Sequence, residues 1–332
     1  MASQTMTALS KALTVLHSVF KKRPRFPYLL YIMVMAIVDS AAVLFIQWGT
    51  YTEPTYTAPS TVDETTRLLN SIRGQLTRFV AQMWMEQKYI WLLNFCVLGM
   101  VYLVLIFVLN RFWVATALFA IITSVFAVAN HIKIQLRNEP VIPSDLSFIS
   151  SGNGGEVASF IPKDSQALVN NTITMLVWLT IACLLLQFID GRRCVISFHW
   201  RHPLRNTKTI IGNCTRIVAV IVSTSLLCSF TLNLNTVGSW SHNWAQALGD
   251  SPTLWDAAGD ASLNGPTINF LRLANPKTMT KPSDYSQATM QEIAQRYNKI
   301  AEKTNQSRSN NLTDNTMIMI LSESFSDPTR VP

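Results

Sequence analysis

The chain has 332 residues, of which 49% are hydrophobic and only 14% charged, and its formal net charge is +8. A soluble domain carries about 25% charged residues, so this deficit, with a positive mean hydropathy of +0.23, excludes an ordinary soluble globule and indicates a polytopic membrane protein. The basic balance is that of membrane loops, and the absence of basic clusters interleaved with aromatics argues against nucleic acid as a partner.

In chain order, residues 1–27 carry Lys11, Lys21, Lys22, Arg23 and Arg25 and no acid. A bilayer core about 30 Å thick needs about 20 apolar helical residues, and the first such stretch is Tyr28–Trp48, "YLLYIMVMAIVDSAAVLFIQW". It exceeds the apolar length of a cleaved signal peptide, about 7–15 residues, and no small-residue cleavage site follows it, so it reads as a signal anchor. Asp39 sits near its middle, and an ionisable group inside a span is a functional candidate by default. The competing reading is a carboxyl bonded to a neighbouring helix.

After the first span, "TVDETTRLLNSIRGQLTRFVAQMWMEQK" has Thr61 and Glu64 in a capping-box pattern. Its Leu69, Ile72, Leu76, Phe79, Val80 and Met83 recur at helical spacing. This predicts one amphipathic helix lying on the outer membrane surface. The second span is Ile90–Leu109. Asn110 and Arg111 make a short break before the third, residues 112–129.

The next loop holds "NHIKIQLRNEPVIPSDLSFISSGNGG", where Pro140 and Pro143 forbid a continuing helix. Ser144 or Asp145 can cap a short helix there. Arg137, Glu139 and Asp145 fall where lipid head groups would lie, and they fit a capped re-entry segment with a salt bridge equally well. The fourth and fifth spans are residues 173–189 and 217–232. Between them lie Arg192, Arg193, Arg201, Arg205, Lys208 and Arg216 against the single acid Asp190.

Bases and acids nearly balance in residues 51–88 and 131–171, so the positive-inside rule places the N-terminus in the cytoplasm and everything after the fifth span outside. None of the five cysteines, Cys96, Cys183, Cys194, Cys214 and Cys228, falls in a loop assigned to the outside, and none forms a C-x-x-C pair. They read as reduced thiols or lipid-facing small residues. Cys194, His199, His202 and Cys214 lack the spacing of a zinc set.

Beyond the fifth span, "WSHNWAQALGDSPTLWDAAG" has the tryptophan signature of a membrane–water boundary. Ser286 is a good N-cap for a helix over residues 286–303, with Met290, Ile293, Ala294, Tyr297, Ile300 and Ala301 on one face. A polar loop then leads to "MIMILSESFSDP". The apolar run suits a strand buried on both faces of a parallel sheet, and sites in such sheets assemble beyond the carboxyl ends of strands. Glu323 lies at that position, a hard-metal ligand by type, although one acid after one strand is also an ordinary surface residue. No G-x-S-x-G elbow marks a serine nucleophile.

At these residues the chain resembles the lipoteichoic acid synthase family of phosphoglycerol transferases. The resemblance is carried by "MIMILSESFSDP", "RNEPVIPSDLSFIS", "NGPTINFLRLAN" and "KPSDYSQATMQEIAQRY". It implies an all-α polytopic membrane module of five transmembrane helices plus an extracellular amphipathic helix, followed by the first strand of a truncated α/β sulfatase-like domain. It divides the chain into a cytoplasmic N-terminus (1–27), a transmembrane domain (28–232), an extracellular linker (233–315) and the opening motif of the catalytic domain (316–332).

It further implies transfer of glycerol phosphate from phosphatidylglycerol to a cell-envelope polymer in the plasma membrane of a Gram-positive bacterium. Manganese or magnesium would activate a threonine nucleophile, and Glu323 would be the first metal ligand. The threonine and the remaining Asp and His ligands belong beyond Pro332, so the chain as given is expected to be inactive and to bind no metal by itself. The alternatives are a non-catalytic membrane protein that binds a lipid or a partner, and a sulfatase-type hydrolase fragment. A transporter fits poorly, because the spans are few, unrepeated and nearly free of charge.

Overall fold

The computed structural model describes residues 23–56, 62–148, 161–198, 206–253, 255–275 and 282–308, with Thr316, Ile318 and Met319. The helices are α1 (Tyr28–Trp48), α2 (Glu64–Asn70), α3 (Ile72–Met85), α4 (Ile90–Leu109), α5 (Phe112–Arg137) and α6 (Pro143–Phe148). A 3-10 turn, Lys163–Ser165, precedes α7 (Gln166–Ile189). Then come α8 (Thr207–Asn233), α9 (Trp240–Ala247), α10 (Ala257–Asn264), α11 (Pro266–Ala274) and α12 (Gln287–Gln306). Five of them, α1, α4, α5, α7 and α8, are long and apolar enough to cross a membrane.

The first two spans match the sequence reading, and the other three are longer. Helix α5 continues to Arg137, with Asn130 and Lys133 bonded to the segment that follows and His131 Nε2 beside Gln135, and it stops where Asn138 takes a left-handed backbone, φ 53°. Helix α8 starts at Thr207 after Asn206, so its polar first turns project beyond the stretch that hydropathy alone detects. The helix expected to run unbroken after the first span is two helices. Ser71 between them is extended, with ψ 156°, and its hydroxyl accepts from the Gly74 N–H to start α3. Asp63 sits at the N-cap of α2 without a side-chain capping bond, and Thr61 of the expected capping box lies outside the described residues.

Helix α5 is the centre of the bundle, packing against α1, α4 and α7, whereas α8 packs chiefly on α4. Over its most apolar window α5 is 56% buried, against 11% for the α7 span and 6% for α8. Large rings form the seam. Tyr102 stacks on Phe119 at 4.2 Å and Tyr31 on Phe112 at 4.3 Å. The Tyr102 hydroxyl donates to Thr116 Oγ1 at 2.5 Å, so this buried phenol is not left unpaired.

The helices alternate in direction, which gives the bundle two ends. At one, the basic end, lie Arg23, Arg25, Arg111, Arg192, Arg193, Lys208 and Arg216. The acid there, Asp190, is fully buried. Its carboxylate accepts from the Tyr31 hydroxyl, from Trp113 Nε1 at 3.1 Å and from the Arg192 and Phe26 backbone N–H groups at 2.8 and 3.5 Å.

At the opposite end α9, α10 and α11 form a cap over the helix ends. Leu93 and Val97 of α4, Phe230 of α8, Leu234, Ala245 and Ile268 make its apolar core. Two of the boundary tryptophans serve this junction: Trp240 and Trp244 each pack edge-on against Phe230, with centroids 5.9 Å away, whereas Trp255 is 88% exposed.

Residues 277–332 form a second unit. In it Ser286 caps α12 as expected, accepting from the Thr289 N–H at 3.2 Å, and the stripe of Met290, Ile293, Tyr297 and Ile300 is exposed. Among the described residues there is no β-strand. Thr316, Ile318 and Met319 carry no strand assignment; the rest of the expected closing strand, with Glu323, lies outside the described residues.

Candidate functional site

The segment "RNEPVIPSDLSFIS" begins where α5 ends, at the bundle end that carries the cap. Asn138 turns the chain, Pro140 and Pro143 keep it from resuming α5, and α6 starts at Pro143. The turn is held from within α5. Asn130 accepts from the Val141 N–H at 2.8 Å and donates to Gly49 O at 3.3 Å, tying the loop to the end of α1. Asp145 accepts from the Ile142 N–H at 2.8 Å and from Lys133 Nζ at 2.8 Å.

Beside this hairpin, His131 stacks on Trp48 at 4.3 Å. Its Nε2 lies 3.0 Å from the Gln135 amide nitrogen, while its Nδ1 is buried without a hydrogen-bond partner among the described residues. Gln47 donates to Tyr51 Oη at 2.7 Å and to Ser262 O at 2.9 Å, and its own amide oxygen is likewise unpartnered. Burial pushes the Tyr51 phenol up to about 12, against the pull of its hydrogen bond with Gln47. A helix end, a Trp–His stack and a Lys–Asp pair thus meet at the end of the apolar helices that carries the cap, and the unpaired Gln47 and His131 atoms are buried behind them. The accessible cations of this set, Lys133 and Arg137, are the groups able to meet an anionic head group.

The sequence-derived candidates divide here. Asp145 enters the hairpin, but its partner is Lys133 and not Arg137; the salt bridge expected in this segment exists with a different base. Arg137 and Glu139 are exposed on the rim and take no part in that pair. Asp39 belongs elsewhere. It precedes Trp48 by about 14 Å of helix at 1.5 Å per residue, and is 1% exposed with neither carboxylate oxygen hydrogen-bonded among the described residues. A Cβ on Gly99 of α4 would come within 3.1 Å of Asp39 Oδ2, so the missing side chain at Gly99 is what admits the carboxyl between α1 and α4. The reading of Asp39 as bonded to a neighbouring helix is therefore corrected: among the described residues it is close-packed against α4 without a hydrogen bond. Glu323 lies outside the described residues, and among those described no three His, Cys, Asp or Glu side chains form a metal-binding group.

Sequence reasoning missed the polar cluster inside the cap. Arg272, 2% exposed, donates to both Asp250 oxygens at 2.7 and 2.5 Å and to Asp260 Oδ2 at 2.9 Å. Asn264 donates to Asp260 Oδ1 at 2.6 Å, and Asn94 of α4 donates to Asn264 O at 2.9 Å, joining the cluster to a span. Burial raises the Asp250 carboxyl, and the Arg272 guanidinium opposes that rise. The one local signal was Arg272 itself, four residues after Ile268 and so on the buried face of α11. Comparison with protein-family models, with curated proteins and with solved structures finds no match to this chain.

Proposed function

We propose that the chain is the membrane module and catalytic threshold of a phosphoglycerol transferase-like enzyme, which moves glycerol phosphate from phosphatidylglycerol to a cell-envelope polymer in the plasma membrane of a Gram-positive bacterium. In this reading the basic end is cytoplasmic and the cap, the hairpin and residues 277–332 are extracellular. The α5–α6 hairpin carries the reading. One of the two stretches that resemble the family most specifically, "RNEPVIPSDLSFIS", has its described part, residues 137–148, folded into a polar hairpin at the capped end of the apolar helices, which supports this reading. There half-buried Lys133, with exposed Arg137 on the rim, would meet the phosphate of a lipid head group.

Glu323 would give one hard carboxylate oxygen to a manganese or magnesium ion, and such an ion would activate a threonine nucleophile. One carboxylate does not fix a catalytic metal by itself, and in this reading the described residues contribute lipid placement. The full gene product, purified with manganese, is expected to release diacylglycerol from phosphatidylglycerol, and Lys133→Ala and Arg137→Ala are each expected to raise KM more than they lower kcat. Release of sulfate from an aryl sulfate in place of diacylglycerol would overturn the reading.

A further inference from the structure

Away from the hairpin, α4 and α8 leave an apolar groove of about 620 Å³ between them. Met100 and Phe107 form one wall, and Cys214, Val218, Val222 and Leu226 the other. From Cys214 to Leu226, α8 rises about 18 Å at 1.5 Å per residue, close to the roughly 15 Å of one leaflet's share of the hydrocarbon core. The groove is therefore one leaflet deep, and Phe107 and Cys214 place its mouth at the basic end.

The mouth is cationic. Arg216 closes it, donating to Val108 O at 2.9 Å and lying 4.2 Å from the centre of the Phe198 ring. Arg111, just past α4, and Lys208, in the first turn of α8, are exposed at the same end. Residues 191–216 contain no acid, and the nearby Asp190 is buried with its oxygens engaged. Fixed positive charge above an apolar slot selects an amphiphile with an anionic head.

The charge pattern identifies the occupant further. An apolar slot one leaflet deep with cations at its mouth complements a hydrocarbon tail carrying an anionic head. We infer that the α4–α8 groove holds one acyl chain of an anionic phospholipid from the leaflet at the basic end, with its head group on Arg111, Lys208 and Arg216. This site is at the opposite end of the spans from the hairpin and does not depend on the transferase reading.

The test uses the full chain purified in mixed micelles containing phosphatidic acid or phosphatidylcholine at equal mole fraction. Protein-bound lipid is counted by mass spectrometry after detergent exchange. The unaltered chain is expected to retain phosphatidic acid in preference to phosphatidylcholine. Val222→Phe, which fills the groove from a lipid-facing position and leaves the bundle core untouched, is expected to lower retention of both lipids at least fivefold. The double variant Arg111→Gln with Lys208→Gln is expected to lose the preference for the anionic lipid, about fivefold per charge, since a basic side chain near an anionic surface contributes ~1 kcal/mol. Equal retention of the two lipids by the unaltered chain, or unchanged retention in both variants, would show ordinary boundary lipid and overturn the site. A dimer crosslinked through Cys214 and lost in Val222→Phe would instead assign the groove to a second copy. The charge variant keeps the outcome readable if Val222→Phe does not fold.

Discussion

The two ends of the bundle are each closed by a buried polar cluster, built on opposite electrostatic principles. At the basic end one carboxylate, Asp190, is surrounded by donors from α1, α5 and the backbone, with the bonded Tyr31 and Trp113 groups both neutral. In the cap one guanidinium, Arg272, faces two carboxylates, all three nearly inaccessible. Neutral donors can satisfy a single buried anion without importing another charge. Two buried anions need a cation, and losing that cation leaves both uncompensated. The cap is thus tied to the spans by an arrangement that tolerates fewer changes than the one below it.

Removing the central group of each cluster is the most direct way to break this comparison. Arg272→Ala is expected to cost about 3–5 kcal/mol, seen as loss of the folding transition in detergent and early proteolysis within 239–275. Asp190→Asn keeps shape and some acceptor capacity, so it should cost less, about 1.5–3 kcal/mol for charge-assisted bonds; a thermal melt giving the reverse order would break the contrast. Gly265→Ala should fall next, at about 1–3 kcal/mol. Gly265 has φ 92°, and a Cβ there would sit 2.3 Å from the Asn94 amide that joins cap to span. Lys133→Ala is the smallest, under about 1 kcal/mol, because its pair with Asp145 is partly solvated.

A labelling experiment sharpens the same comparison by assigning each end to a side. Cys194 is exposed at the basic end and Cys183 is buried in the bundle. An impermeant maleimide is expected to modify Cys194 only after intact cells are opened, and to leave Cys183 unmodified in the folded protein. Labelling of Cys194 in intact cells would invert the orientation proposed above.

How much of this could be read in advance depends on the range of the interaction. The limits of α1 and α4 and the Ser286 cap of α12 followed from apolar runs and one side-chain-to-backbone bond, all settled within a few residues. The Lys133–Asp145 pair was half legible, because the two prolines announced a hairpin but not which base on α5 would face Asp145. Arg137, nearer in sequence, lies on the exposed rim. The division of one amphipathic helix at Ser71 was hidden because its apolar spacing continues across the break.

By itself, then, the sequence determined the number of helices long and apolar enough to span a membrane, the charge asymmetry of their loops and the Ser286 cap of α12, since hydropathy, loop charge and capping are local free energies. Tertiary structure alone decided that α5 is central while α7 and α8 remain peripheral, that Gly99 makes room for Asp39, and that Arg272 meets Asp250 and Asp260. Those outcomes depend on which helix faces come together across long stretches of chain. Close packing and the cost of unpaired buried charge select among such pairings only once all the partners are in place.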